Sequence, residues 1–202
     1  FEKRTGNTVV VNFSTTGLLT SGIQYNTVEG INASMNFNFS KEYEDFRSHT
    51  ISASFRQGFS NYLSGGKLGW SYLQDPKKFQ QFAIYAQSQV NQYNNSAPIS
   101  ESINSIYSLY LNDNFMKLYK KTSLQLYYRR ELINGLYFYG SLEYAERVPL
   151  KNSTDMLIKD DLNKLFTSNN PLYPNTDDSL FAVNNSFVVD VMFRIRFKQK
   201  YY

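Results

Sequence analysis

From Ile31 to Ser40 the chain reads Ile-Asn-Ala-Ser-Met-Asn-Phe-Asn-Phe-Ser, with every odd position apolar and every even one Asn or Ser. Unbroken period-2 alternation puts the apolar side chains on one face of an extended strand and the polar ones on the other, a separation that an α-helix would scramble. The pattern recurs in Val9, Val11 and Phe13; in Ile51, Ala53 and Phe55; in Leu68, Trp70 and Tyr72; and in Phe82, Ile84, Ala86 and Val90. It continues in Ile103, Tyr107, Leu109 and Leu111; in Leu124, Leu126 and Tyr128; and in Leu136, Phe138, Leu142 and Tyr144. A last run sets Phe187, Val189, Val191, Phe193, Ile195 and Phe197 opposite Asp190, Arg194, Arg196 and Lys198.

These runs predict nine strands, at about 8–16, 29–41, 46–59, 65–74, 79–92, 100–112, 119–131, 135–146 and 180–199. Turn-forming segments separate them, among them 41–45, Ser64-Gly65-Gly66, Asp75-Pro76-Lys77-Lys78, Asn94-Asn95-Ser96-Ala97-Pro98, 112–114 and Asn134-Gly135. Short connections make successive strands antiparallel neighbours. The expected fold class is all-β. The exception to the short connections is 147–179, which lacks alternation. There Ile158, Leu162, Leu165 and Phe166, behind a Ser153-Thr154-Asp155 cap, predict a short amphipathic helix.

Composition narrows the class. The 16 Phe, 17 Tyr and 1 Trp sit in a chain whose mean hydropathy is −0.47, and 22 Ser with 21 Asn favour strands and turns over helices. The absence of Cys removes disulfide scaffolds and thiolate sites, and a single His removes most imidazole metal sites. A net charge of +4, spread along the chain, gives no basic patch of the nucleic-acid type. No apolar run reaches the roughly 18 residues of a transmembrane helix.

Alternation alone leaves two architectures, a soluble lipocalin-like barrel or sandwich with its apolar face inward, and a membrane barrel with that face outward. Membrane-crossing strands need about 9–11 residues against the usual five or six, and several runs here are that long. Asn- and Gln-rich polar faces suit a wet lumen, and Tyr43, Phe46, Phe59, Tyr62 and Tyr93 near run ends suit interfacial aromatic girdles. The transmembrane β-barrel is the reading adopted, with 1–202 as one barrel segment. On it Met35, Phe37, Phe39, Phe138, Leu142, Val191, Phe193 and Ile195 face lipid, and Asn32, Asn36, Asn38, Arg56, Arg129, Glu143, Asp190, Arg194 and Arg196 face the lumen. The 147–179 loop is expected outside the cell, on the rim opposite the connections at 17–28 and 93–99.

Three stretches carry a family resemblance: Tyr25-Asn26-Thr27-Val28-Glu29-Gly30, the segment from Arg129-Arg130-Glu131-Leu132 through Glu143-Tyr144-Ala145-Glu146-Arg147, and Phe166-Thr167-Ser168-Asn169-Asn170-Pro171. They resemble the barrel region of a Bacteroidetes outer-membrane family whose members carry a carboxypeptidase-regulatory-like domain, without peptidase activity, ahead of a C-terminal barrel. The resemblance implies an N-terminal domain and further strands beyond this chain. An odd count of nine strands accords with that, because single-chain bacterial barrels close with an even number.

Candidate chemistry is sparse. His49, beside Ser48 and near Asp45, is the one possible member of a Ser-His-Asp arrangement and reads more simply as a rim histidine. Lumenal charges of both signs either tune passage through a pore or pair with one another to fill it, and pairing is favoured because buried charge requires partners. Asn169, Asn170, Asn175, Asp177 and Asp178 offer oxygen ligands without the spacing of a calcium loop. No catalytic residue, metal site or cofactor is assigned. The expected function is a non-enzymatic scaffold or accessory subunit of a larger transport, secretion or barrel-assembly complex in the cell outer membrane. Its expected partners are outer-membrane lipid and other outer-membrane proteins or lipoproteins, and no nucleic acid. A solute channel or receptor is the alternative, and a rim enzyme using His49 a more distant one.

Overall fold

Alternation along each strand continues from strand to strand. In the computed structural model, which describes residues 7–17, 24–94, 96–158, 166–172 and 182–197, nine antiparallel strands form one sheet. They are β1 (Thr8–Gly17), β2 (Gln24–Asn26), β3 (Gly30–Glu42), β4 (Ser48–Gly58), β5 (Ser64–Asp75), β6 (Gln80–Gln92), β7 (Leu118–Ile133), β8 (Leu136–Pro149) and β9 (Asn184–Ile195). The order is β1-β3-β4-β5-β6-β7-β8-β9, a meander in which β2 extends the β1 edge along β3. Among the described residues β1 and β9 are the sheet's open edges.

The register aligns like with like. One row runs Phe37, Ala53, Leu68, Ala86, Leu124, Tyr144, Phe187, and the next runs Asn36, Ser54, Lys67, Gln87, Ser123, Ala145, Ser186. The apolar face is bare. Met35, Phe37, Leu142, Val191, Phe193 and Ile195 are exposed on it, Phe37 at 40% and Phe193 at 60%, while Phe39 and Phe138 are half-buried. Among the described residues fifteen polar side chains are buried against nine apolar ones, the reverse of a soluble core. Among the described residues the buried apolar cluster is Val28, Met116 and Leu118, with Val90 and Leu150 packed against it.

Three expectations about the sheet are corrected. The strand expected at 100–112 is helix α1 (Glu101–Leu111), so the ninth strand of the sheet is the three-residue β2 instead. Ile103, Ile106, Tyr107, Tyr110 and Leu111 are spaced i, i+3, i+4, i+7, i+8, which is helical amphipathicity. Ile106 and Tyr110 break the alternation that Ile103, Tyr107, Leu109 and Leu111 suggest. The helix ends at Asn112, a left-handed C-cap (φ 57°) whose N–H bonds Tyr107 O.

Removing one crossing also moves the long loop. The turns at 43–47, 76–79 and Asn134-Gly135 lie on one rim, while the β1–β2 connection, 59–63, the α1 segment and the β8–β9 connection share the other. The connection expected at 147–179 therefore leaves β8 at the same rim as the ends of β1 and β6, from which the 17–28 and 93–99 connections depart, not at the opposite one. Ser64-Gly65-Gly66 also lies inside β5 rather than in a turn. A Cβ on Gly65 would stand 2.7 Å from Ser88 O and one on Gly66 2.6 Å from Ser54 O, so glycine there admits neighbouring backbone.

Candidate functional site

The long rim is filled on the polar face by hydrogen-bonded side chains. Asn26 Oδ1 accepts from Val28 N at 3.0 Å and Glu29 N at 2.7 Å, an Asx turn, and its Nδ2 donates to Glu29 Oε2 at 2.9 Å. Gly30 follows at φ +68°, where a Cβ would meet Ser60 Oγ at 1.9 Å. The turn thus aims the Glu29 carboxylate, 1% exposed, at Arg56 on β4. Arg56 Nη2 donates to Glu29 Oε2 at 2.6 Å and Nε to Oε1 at 2.9 Å, while Nη1 donates to Glu101 Oε1 at 2.9 Å. A buried carboxylate is tolerated only with such full pairing. One guanidinium therefore ties the β2–β3 turn, β4 and the start of α1.

Helix α1 turns its polar side inward, burying Asn104, Ser105, Ser108 and Leu109. Asn104 Oδ1 accepts from Phe115 N and Met116 N, both at 3.1 Å, and Tyr25 N donates to Ser105 Oγ at 2.7 Å. Asn114 Nδ2 donates to Thr27 Oγ1 at 2.6 Å, and Thr27 Oγ1 to Asn152 Oδ1 at 2.6 Å. Ser153, expected to cap a helix, instead donates through Oγ to Val28 O at 2.6 Å and through N to Thr27 O at 2.8 Å. Residues 151–157 are not helical, and the rest of the expected helix, 159–165, lies outside the described residues.

Asn169 closes the assembly. Its Oδ1 accepts from Leu118 N at 2.8 Å and its Nδ2 donates to Leu118 O at 2.6 Å and Leu150 O at 2.7 Å, joining the starts of β7 and of the β8–β9 connection. Lys117 Nζ donates to Thr167 Oγ1 at 2.8 Å and Ser168 O at 2.6 Å, and burial draws its pKa down to about 8. Asn169 and Asn170 are thus committed to backbone: Asn170 Oδ1 accepts from Leu172 N at 3.0 Å. Asn175, Asp177 and Asp178 lie outside the described residues.

The register places the other polar candidates on the same face as Arg56. Asn32 is buried at the cap, and Asn36 and Asn38 continue along β3. Glu143 accepts from Lys121 Nζ at 2.8 Å with Arg147 Nη2 3.9 Å away, and Asp190 Oδ2 accepts from Ser141 Oγ at 3.3 Å. Arg129, Arg194 and Arg196 gather at the short rim, Arg194 6.0 Å from the Tyr139 ring and Arg196 5.7 Å from that of Tyr137.

His49 is on the opposite, apolar face. Its ring stacks on Tyr72 at 4.3 Å, with Trp70 at 5.9 Å and Tyr43 edge-on at 5.8 Å. Ser48 precedes it on the strand and so points to the other face, and Asp45 accepts from Arg47 Nε. The three do not form a triad. His49, Tyr43, Trp70 and Tyr72, with Lys41 Nζ 5.0 Å above the Tyr43 ring, form an aromatic group near the short rim.

Sequence reasoning missed Glu29, Glu101, Asn104, Asn114 and Lys117. The available signal was the pair of stretches Tyr25–Gly30 and 166–171, both of which land in the cap. A family model described as the C-terminal domain of a family of unknown function (DUF5686) matches residues 2–202. No match was found among curated proteins or among solved structures.

Proposed function

The chain belongs to the DUF5686 family, as its C-terminal domain, and on that premise we propose that it is a segment of an outer-membrane β-barrel serving as a non-enzymatic scaffold or accessory subunit. The observation that carries the reading is the joint asymmetry of rims and faces. The turns 43–47, 76–79 and 134–135 share one rim, the other carries the three long connections beside the short turn 59–63, and an uninterrupted apolar face stands exposed. Outer-membrane barrels have this form, with short periplasmic turns, longer external loops and a lipid-facing band. The eight long strands, of 10 to 16 residues, have the length for a tilted crossing. The aromatic group around His49 has the position of an interfacial girdle. A domain defined as C-terminal also accords with a regulatory-like domain ahead of it, as in the Bacteroidetes proteins that the sequence resembles.

The larger machine is one of transport, secretion or barrel assembly, and its other members are outer-membrane proteins or lipoproteins. A polar cap cross-linked by Arg56, Glu29, Glu101 and Asn169 favours a filled, rigid barrel end over an open solute channel. The test is extraction of the tagged full-length protein in mild detergent. Stoichiometric outer-membrane partners are expected. A lone species giving unitary conductance steps in planar bilayers would replace the scaffold with a channel.

A further inference from the structure

At the short rim, three arginines of the polar face line one space that, among the described residues, no acidic side chain lines. Arg129 lies near the end of β7, Arg194 near the end of β9 and Arg196 just beyond it, and with Phe79, Tyr137 and Tyr139 they bound a cleft of about 270 Å³; Arg130 and Phe138 border it from a register pair whose side chains face the apolar side. The Nε of Arg129 is buried without a hydrogen-bond partner. A buried donor on a charged group is costly to leave unmade, and three like charges around one small space repel unless an anion lies between them. The nearest acids are engaged elsewhere. Asp75 Oδ1 accepts from Lys77 N at 3.0 Å, Glu131 Oε1 accepts from Gly135 N at 2.8 Å, and Asp190 holds Ser141.

We propose that this cleft is a binding site for a phosphate-bearing anion. A carboxylate presents two oxygens and saturates one guanidinium fork. A phosphate presents several around a tetrahedral centre and can accept from Arg129 below while Arg194 and Arg196 close from the exposed side. The Tyr137, Tyr139 and Phe79 walls leave room for a small substituent on the phosphate and hold water away from the ion pairs. The ligand is a free phosphate compound or the headgroup of a phospholipid. The assignment stands whether or not the sheet crosses a membrane.

The test uses the full-length protein in non-ionic detergent, with inorganic pyrophosphate as the soluble probe. For the headgroup arm the same protein is placed in nanodiscs of phosphatidylcholine with or without phosphatidylglycerol, and the unfolding temperature is read. The variant R194Q/R196Q removes two exposed cations and leaves Arg129 in place. R194K/R196K keeps the charge without the fork, and R47Q, in another turn of the same rim, is the control. Saturable pyrophosphate binding that weakens about tenfold or more in R194Q/R196Q, partly recovers in R194K/R196K and is unchanged in R47Q is expected for a free phosphate ligand. Stabilisation by phosphatidylglycerol alone, lost in R194Q/R196Q, assigns a headgroup. Wild type and R194Q/R196Q that respond alike to both probes, or not at all, would overturn the site.

Discussion

Arg56 and Glu29 form a two-point ion pair across 27 residues, Nη2 to Oε2 at 2.6 Å and Nε to Oε1 at 2.9 Å, at the end where the sheet's long connections converge. Removing one partner strands the other charge in a site with little water. Glu29→Gln or Arg56→Met should therefore each cost about 3–5 kcal/mol, and the double variant less than the sum of the two. Denaturant unfolding of the detergent-solubilised protein measures this. Additive losses would mean that the pair is solvated and that the cap is held elsewhere.

Asn169 substitutes for a strand partner, since its amide satisfies both backbone groups of Leu118 and the carbonyl of Leu150. Asn169→Ala leaves those groups buried and unpaired, at about 1–3 kcal/mol for each one left unsatisfied. The expected result is release of the connection after β8, read as faster tryptic cleavage after Lys151, with the strands intact by circular dichroism. An unchanged cleavage rate would remove Asn169 from the cap's supports.

The strands were legible and the cap was not, for one physical reason. Alternation is a local signal, and it located β3 and β9 because each residue's face is set by its immediate neighbours. Glu29, Arg56 and Glu101 are brought together only by the register, and nothing in an Asn- and Ser-rich stretch distinguishes a buried polar network from a solvated loop. Helix α1 was misread because its inward side is polar. Asn104, Ser105 and Ser108 look like the wet face of a strand when Ile103 and Tyr107 are taken as the dry one. That one error exchanged the rims for everything after it.

Lys117 makes the cap pH-dependent. Its pKa of about 8 in the folded chain lies below the roughly 10.4 of an unfolded lysine, so between these values the unfolded state binds more protons. Stability should therefore rise with pH across that window and be lowest below pH 8, where the buried ammonium is fully charged. Comparing the unfolding midpoint of wild type with that of Lys117→Gln at pH 7.5, 9 and 10 (values about one unit apart, spanning the window) cancels the tyrosine background. Parallel curves would show that the ammonium is not desolvated.

If the long connections face outward, all of them do so together. An epitope inserted between Ser96 and Ala97, on the long rim, should be stained by antibody on intact cells, and one at Glu44, on the short rim, only after permeabilisation. Staining of both on intact cells would contradict a spanning sheet.

Asn36 and Phe37 are neighbours on β3 whose side chains fall in different rows, Asn36 with Ser54 and Phe37 with Ala53. With Phe37 in hydrocarbon, Phe37→Arg should cost about 2–4 kcal/mol, whereas Asn36→Arg should be nearly neutral if water reaches the polar face. A soluble barrel would also lose stability with Phe37→Arg, so labelling decides. In this cysteine-free chain, Asn36→Cys and Phe37→Cys are made separately and probed in membranes. A lipid-soluble maleimide should modify position 37 and an impermeant one should not, while position 36 should react with the polar reagent wherever the polar face is wet. Efficient polar labelling at position 37, or a chain that stays in solution without detergent, would turn the apolar face inward and leave a soluble sheet in place of the barrel.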